Sequence, residues 1–367
     1  GFNVTAGASG NVNENNENYV AWAWNAGDTD GKTYTVTVVD DSGNKYRFDG
    51  FGTSAVTLDL AEGGTYIFNY PSAHPFRFST TADGTHGGGS EYTTGVTVIS
   101  STSIQIVVAA SAPTLYYYCS SHSGMGGAIN TNSTLGSSNF DGSIQTRVKV
   151  NATAGFSIIT YTGNGSTATI GHGLGVAPKA VIVKRRSGGD QWQVYWIGAG
   201  TERSGFLSLN NAFSNGANTS YWGTSEPTST VFSVANSTQT NGSSQTYVAY
   251  VFSSVEGYSK FGEYTGNGSN DGRFVYTGFK VQFLLIKKTN TSESWILADT
   301  KRNSQSGREN PADSYLLADQ ANAESTGIIY DMLSNGFKFR STSQNTSGHR
   351  YAYFAFGEAP FKNARAR

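Results

Sequence analysis

The sequence predicts an all-β protein of several domains. Three observations carry that expectation: an excess of strand and turn residues, apolar runs of strand length, and a domain-sized internal repeat. Tyr and Phe number 21 each beside 45 Gly. Pleated surfaces favour aromatic and β-branched side chains, while Gly and Asn serve tight turns. Helix formers such as Leu, Lys and Met are scarce. The length of 367 residues exceeds one ordinary domain of about 100–200, so two or three are expected. With 14% charged residues and a net charge of -1, neither a basic face for nucleic acid nor an acidic tail can be built. The sequence lacks an apolar run of about 18 residues, so no membrane insertion is expected. The single cysteine, Cys119, excludes an intrachain disulfide framework. The chain opens on Gly1 rather than Met, which reads as a processed protein or part of a longer one.

The repeat is explicit. Tyr161-Thr-Gly-Asn-Gly165 recurs 103 positions later as Tyr264-Thr-Gly-Asn-Gly268, and Trp192 recurs as Trp295 at the same offset. The apolar run Ala180-Val-Ile-Val183 answers Phe283-Leu-Leu-Ile286. Tyr247-Val-Ala-Tyr-Val-Phe252 answers Tyr351-Ala-Tyr-Phe-Ala-Phe356. Four landmarks in one order at a nearly constant offset define two copies of one domain, at 151–256 and 257–367. Short strands divided by Asn164-Gly165, Asn215-Gly216 and Asn335-Gly336 predict a β-sandwich or jelly roll for each copy. At the N-terminus, Phe2-Asn-Val4 and Tyr19-Val-Ala-Trp-Ala-Trp24 match the last two strands of a copy. Residues 1–33 are therefore expected to hold the final hairpin of a truncated repeat and a linker. Two strands bury no core by themselves, so that hairpin would belong to a longer chain or complete a neighbouring subunit's sheet.

Residues 34–150 have a different texture. Ala73-His-Pro-Phe-Arg-Phe-Ser79 and Tyr116-Tyr-Tyr-Cys-Ser-Ser-His-Ser-Gly-Met125 stand out. This part resembles the cupredoxin family, which takes one His from an inter-strand loop and Cys, His and Met from a single later loop. His74 precedes Cys119 by 45 residues, and Cys119-x-x-His122-x-x-Met125 is similar to the short amicyanin-type ligand loop. The resemblance implies a Greek-key β-sandwich and a copper site of His74, Cys119, His122 and Met125. A thiolate and two imidazoles in a trigonal plane, with a weak axial thioether, suit copper in both oxidation states. Gly124, Gly126 and Gly127 would permit the tight turn. His86, in a Gly-rich loop, is expected to be exposed rather than a ligand.

Other motifs carry less. A P-loop, a Rossmann glycine fingerprint and His-Glu-x-x-His are all missing from the sequence. His172, in Gly171-His-Gly-Leu-Gly175, has no counterpart in the second copy, where Asp271-Gly-Arg-Phe was aligned, so catalysis there is not expected. Trp192 and Trp295 are expected in a core or interface before any sugar platform. Sequons such as those at Asn151 and Asn164 arise by chance in so polar a chain.

The two full copies also resemble repeats of marine phage (cyanophage-type) tail fibres, and similar phage chains carry a cupredoxin-like module with the same Cys-His-Met loop. That resemblance implies a non-enzymatic structural or adhesive protein at a virion surface or outside a cell. Its partners would be further copies in an oligomer or fibre, other virion or surface proteins, and host glycans. A secreted blue-copper electron-transfer protein and a bacterial adhesin or filament subunit remain open alternatives.

Overall fold

The computed structural model describes residues 15–27, 30–132, 136–196, 202–215, 220–302 and 310–358. Among them there is no α-helix, only a 3-10 turn at Gly84–Gly87, so the protein is all-β. Among the described residues no helix is long and apolar enough to cross a membrane.

The first unit contains β1 (Gly31–Asp40), β2 (Asn44–Phe48), β3 (Leu58–Ala61), β4 (Thr65–Asn69), β5 (Phe76–Ser79), β6 (Val96–Ser100), β7 (Ser103–Val107), β8 (Leu115–Cys119) and β9 (Gly127–Asn132). A five-stranded sheet runs β2-β1-β4-β7-β6 and a four-stranded sheet runs β3-β9-β8-β5. Two pairs, β1/β4 and β3/β9, are parallel, which requires the crossovers of a Greek-key sandwich. Alternate residues turn inward: Tyr34 and Val36 from β1, Leu115, Tyr117 and Cys119 from β8. The core is aromatic, with Phe68 stacked on Phe76 at 4.8 Å and Phe76 on Tyr117 at 5.4 Å.

The second unit contains β10 (Ser137–Asn139), β11 (Thr146–Asn151), β12 (Phe156–Thr162), β13 (Ala168–Gly171), β14 (Ala180–Arg185), β15 (Gln193–Trp196), β16 (Glu202–Phe206), β17 (Ser214–Asn215), β18 (Val231–Val234) and β19 (Thr246–Phe252). Its main sheet runs β10-β11-β12-β19-β14-β15-β16-β17, with β13 and β18 as a separate pair. The domain boundary expected at residue 150 falls within β11, because β10 and β11 extend the sheet of the first repeat back to Ser137. The same segment grips the sandwich before it: Phe140 lies in its core, and Tyr34 Oη donates to Ser138 O at 2.8 Å. A change of composition could not locate a stretch shared by two cores.

The third unit contains β20 (Ser259–Thr265), β21 (Phe274–Tyr276), β22 (Phe283–Lys288), β23 (Ile296–Asp299), β24 (Pro311–Leu317), β25 (Ser325–Leu333), β26 (Gly336–Phe339) and β27 (Arg350–Phe356). All eight form one sheet, β20-β27-β22-β23-β24-β25-β26-β21. Its two end strands approach each other, and Lys260 Nζ on β20 donates to Tyr276 O on β21 at 2.9 Å, so the sheet is nearly a barrel. Strand pairing repeats between the copies: β12 and β14 flank β19 as β20 and β22 flank β27.

Each repeat has two apolar faces. Tyr161, Val181, Val183 and Tyr247 face the core of the first, and Tyr264, Leu284, Ile286 and Tyr351 that of the second. The opposite faces meet each other, joining Phe156, Ile182, Trp196 and Phe252 to Phe261, Leu285, Trp295 and Phe354. Trp196 Nε1 donates to Glu263 across this seam at 3.2 Å, and Trp295 Nε1 to Phe206 O at 2.8 Å. A cavity of about 430 Å³ remains in the seam, walled by Trp22, Trp24, Trp192, Tyr250, Leu285 and Phe356 among others.

The expected N-terminal hairpin is corrected. Phe2-Asn-Val4 lies outside the described residues, and Tyr19–Trp24 forms no strand. Instead Trp24 packs edge-on against Phe252 at 6.3 Å and Phe356 at 5.5 Å, the residues that match it in the two repeats. Its alternating pattern serves to bury two indoles against a sheet face, which needs no ladder.

Candidate metal centre

Strand β8 ends at Cys119 and β5 begins at Phe76, and the two pair antiparallel with Phe76 opposite Cys119. That register puts His74, two residues before Phe76, beside the cysteine. Ser120 N–H donates to Pro75 O at 3.0 Å and ties the two loops together. His74 Nδ1 lies 4.0 Å from Cys119 Sγ and His122 Nδ1 lies 3.6 Å from it. The three donor atoms all fall within 4.8 Å of one another. The imidazole centroids of His74 and His122 are 4.7 Å apart. Cys119 and Met125 are fully buried, His74 is half-buried and His122 is exposed.

These distances fit a metal ion. Metal–sulfur and metal–nitrogen bonds of about 2.3 and 2.0 Å at a trigonal angle hold the two donors about 3.7 Å apart. Both sulfur–nitrogen separations lie close to that value. The donor set is soft, with one cysteine sulfur, two imidazoles and a buried thioether three residues on from His122, which favours copper over hard cations.

The ligand loop is held from both sides by residues outside the predicted ligand set. Tyr46 N–H donates to Met125 O at 3.0 Å, and Tyr46 Oη donates to His74 O at 2.8 Å. Burial, followed by the neighbouring Cys119, pushes the Tyr46 phenol up, so it stays protonated and keeps that donor. Lys45 Nζ donates to Gly124 O. On the other side Asp83 Oδ1 accepts the Gly124 N–H at 2.8 Å, and His86 Nε2 lies 3.0 Å from Cys119 O. His86 is exposed and stands outside the donor cluster. Nothing local in the sequence marks these contacts, since each joins segments 28 to 79 residues apart.

Over residues 129–360 the chain matches the family model described as Domain of unknown function (DUF7483). The chain belongs to that family. No curated protein and no solved structure matches it. The DUF7483 region begins after Met125, so it spans both repeats and leaves out all four ligand candidates.

Within the DUF7483 region the conspicuous residues are engaged internally. His172 is fully buried: Leu174 N–H donates to Nδ1 at 3.2 Å and Nε2 faces Thr228 O at 3.2 Å. Burial holds its pKa below the usual imidazole value. Strand pairing makes Thr277 its counterpart rather than the Asp271 segment: β13 aligns Ile170 with Phe232, and β21 aligns Val275 with Phe337. Trp295 is buried, and Trp192 stacks on Tyr250 at the rim of the seam. Of the sequon residues, Asn151 donates from Nδ2 to Asn25 O and accepts from Ala154 N–H, and Asn164 Oδ1 accepts from Asn241 Nδ2.

Proposed function

We propose that this chain is a non-enzymatic structural protein of an extracellular fibre or virion appendage whose sandwich domain carries one copper ion. The observation that supports it is the convergence of Cys119 Sγ with His74 Nδ1 and His122 Nδ1 inside 4.8 Å, with Met125 buried three residues after His122. Cys119, His74 and His122 would hold the metal, with Met125 as a further sulfur ligand. Copper held so would supply one-electron redox chemistry or a rigid cross-brace between the two sheets. The residues themselves keep that site pre-set: β8 delivers the thiolate from a dry core, and β5 fixes the first imidazole opposite it.

The structural half of the reading rests on the repeats. Their polar signatures are consumed in internal bonds and their apolar faces in one seam, as expected of a body built for rigidity. Self-association and contact with host glycans belong to the same reading.

A second reading, a secreted electron carrier, draws on the exposed His122 imidazole beside a buried thiolate. Copper titration followed by visible absorption tests the metal. An intense sulfur-to-copper band that disappears in Cys119→Ser is expected, and a spectrum without it refutes the site. Sedimentation of the loaded protein separates the two readings, because a fibre component assembles and a carrier stays monomeric.

A further inference from the structure

The turn at Asp83–Gly87 lies across the metal-binding loop and touches it at two backbone points. A carbonyl oxygen can only accept, so His86 Nε2 carries the hydrogen in its 3.0 Å contact with Cys119 O. Asp83 Oδ1 accepts from Gly124 N–H at 2.8 Å. These contacts bracket residues 120–123, which include the exposed ligand His122.

The turn is itself built for that position. Asp83 has φ 57° and Gly84 φ 56°, both left-handed, and His86 N–H donates to Asp83 O at 3.1 Å. Gly84 packs so close to the Tyr118 ring that an added Cβ would meet it at 2.5 Å, and His86 stands edge-on to the same ring at 6.4 Å. Tyr118 is the residue before Cys119, so the turn is seated on the strand whose end it holds.

We infer that the Asp83–His86 turn is a positioning clamp for the copper loop, with His86 fixing the Cys119 peptide and Asp83 fixing Gly124. The inference rests on the copper reading for its functional meaning, but its geometry is that of the protein alone. Without His86 the Cys119–Ser120 peptide keeps the Ser120 N–H bond to Pro75 O but loses the one at its carbonyl. The separation of Cys119 Sγ from His122 is then held less tightly. Neighbours that orient metal ligands typically contribute 10–100-fold in affinity.

The test uses the full chain with His86→Ala, His86→Gln and Asp83→Ala, loaded with copper(II). His86→Ala is expected to shift and weaken the sulfur-to-copper band, change the copper hyperfine splitting, and raise the copper Kd about 10-fold or more. His86→Gln, which keeps a side-chain N–H, is expected to restore much of each. An unchanged band and Kd in His86→Ala overturns the clamp, and so does a lowered melting temperature with an unchanged spectrum. Amide hydrogen exchange on metal-free protein decides the matter independently of copper. Faster exchange at residues 120–124 in both alanine variants is expected, and exchange equal to wild type overturns the inference. A wild-type chain without the band refutes the copper reading, while the exchange result still rules on the clamp.

Discussion

The side-chain amide of Asn241 binds both the side chain and the backbone N–H of Asn164 across 77 residues. Asn241 Nδ2 donates to Asn164 Oδ1 at 2.9 Å and its Oδ1 accepts the Asn164 N–H at 3.0 Å. Asn267 and Asn345 repeat the pairing in the second copy at 2.6 and 3.1 Å. Tyr161 Oη on Thr240 O and Tyr264 Oη on Gln344 O complete the same lock. The Tyr-Thr-Gly-Asn-Gly signature is therefore a clasp closing each repeat.

Asn241→Ala and Asn345→Ala should each lower stability by about 1–3 kcal/mol, because both residues are buried and the backbone groups they serve lose their partners. Urea unfolding curves measure this, and midpoints equal to wild type would remove the clasp from the account.

Gly126→Ala should destabilise the first unit and weaken copper uptake with it. A Cβ there would stand 1.8 Å from Tyr117 O, and backbone on a paired strand cannot move aside. A loss of about 3 kcal/mol is expected. Thermal unfolding followed by near-ultraviolet circular dichroism of the aromatic core reports it, and a midpoint equal to wild type would count against the packing described.

His172 should make the protein less stable in mild acid. An unfolded imidazole titrates near about pH 6.5, and burial keeps the folded one lower. Below that point the unfolded chain binds a proton that the folded chain refuses, so stability falls with pH through this window and is fully present above it. Thermal midpoints between about pH 7 and 5 should drop in wild type and stay flatter in His172→Gln. Parallel curves would show that the ring does not govern this range.

Trp196→Ala should cost about 3–5 kcal/mol, because the indole is fully buried in the seam and donates to Glu263. Burial raises the Glu263 carboxyl, and the Trp196 bond opposes that rise. Trp196→Phe should therefore recover most of the packing while the Glu263 carboxyl titrates higher. Chemical denaturation and carbon-13 titration of that carboxyl check the two parts separately.

The strand positions and the closeness of Cys119 to His122 were legible because both are local. Alternation in β8 and the Cys119-x-x-His122-x-x-Met125 spacing are written in a few consecutive residues. The repeat offset likewise announced the equivalence of β12 with β20 and of β19 with β27. What escaped depended on distant segments meeting. Asn241 looks like any other Asn in a polar loop until β19 brings it to Asn164. The strip at Tyr19–Trp24 alternates as a strand does, yet its partner is a sheet face. Thr277 answers His172 only once β21 and β26 are paired, since the two copies differ in loop length before that point.

The seam has a consequence for what counts as a unit of this protein. Each repeat hides one apolar face in its own core and the other against its sibling, so either repeat produced alone would present a bare aromatic sheet to water. The pair should melt in a single step, and a chain shortened by one repeat should be insoluble rather than half as stable. DUF7483 spans both copies, and the seam makes that span the smallest indivisible piece.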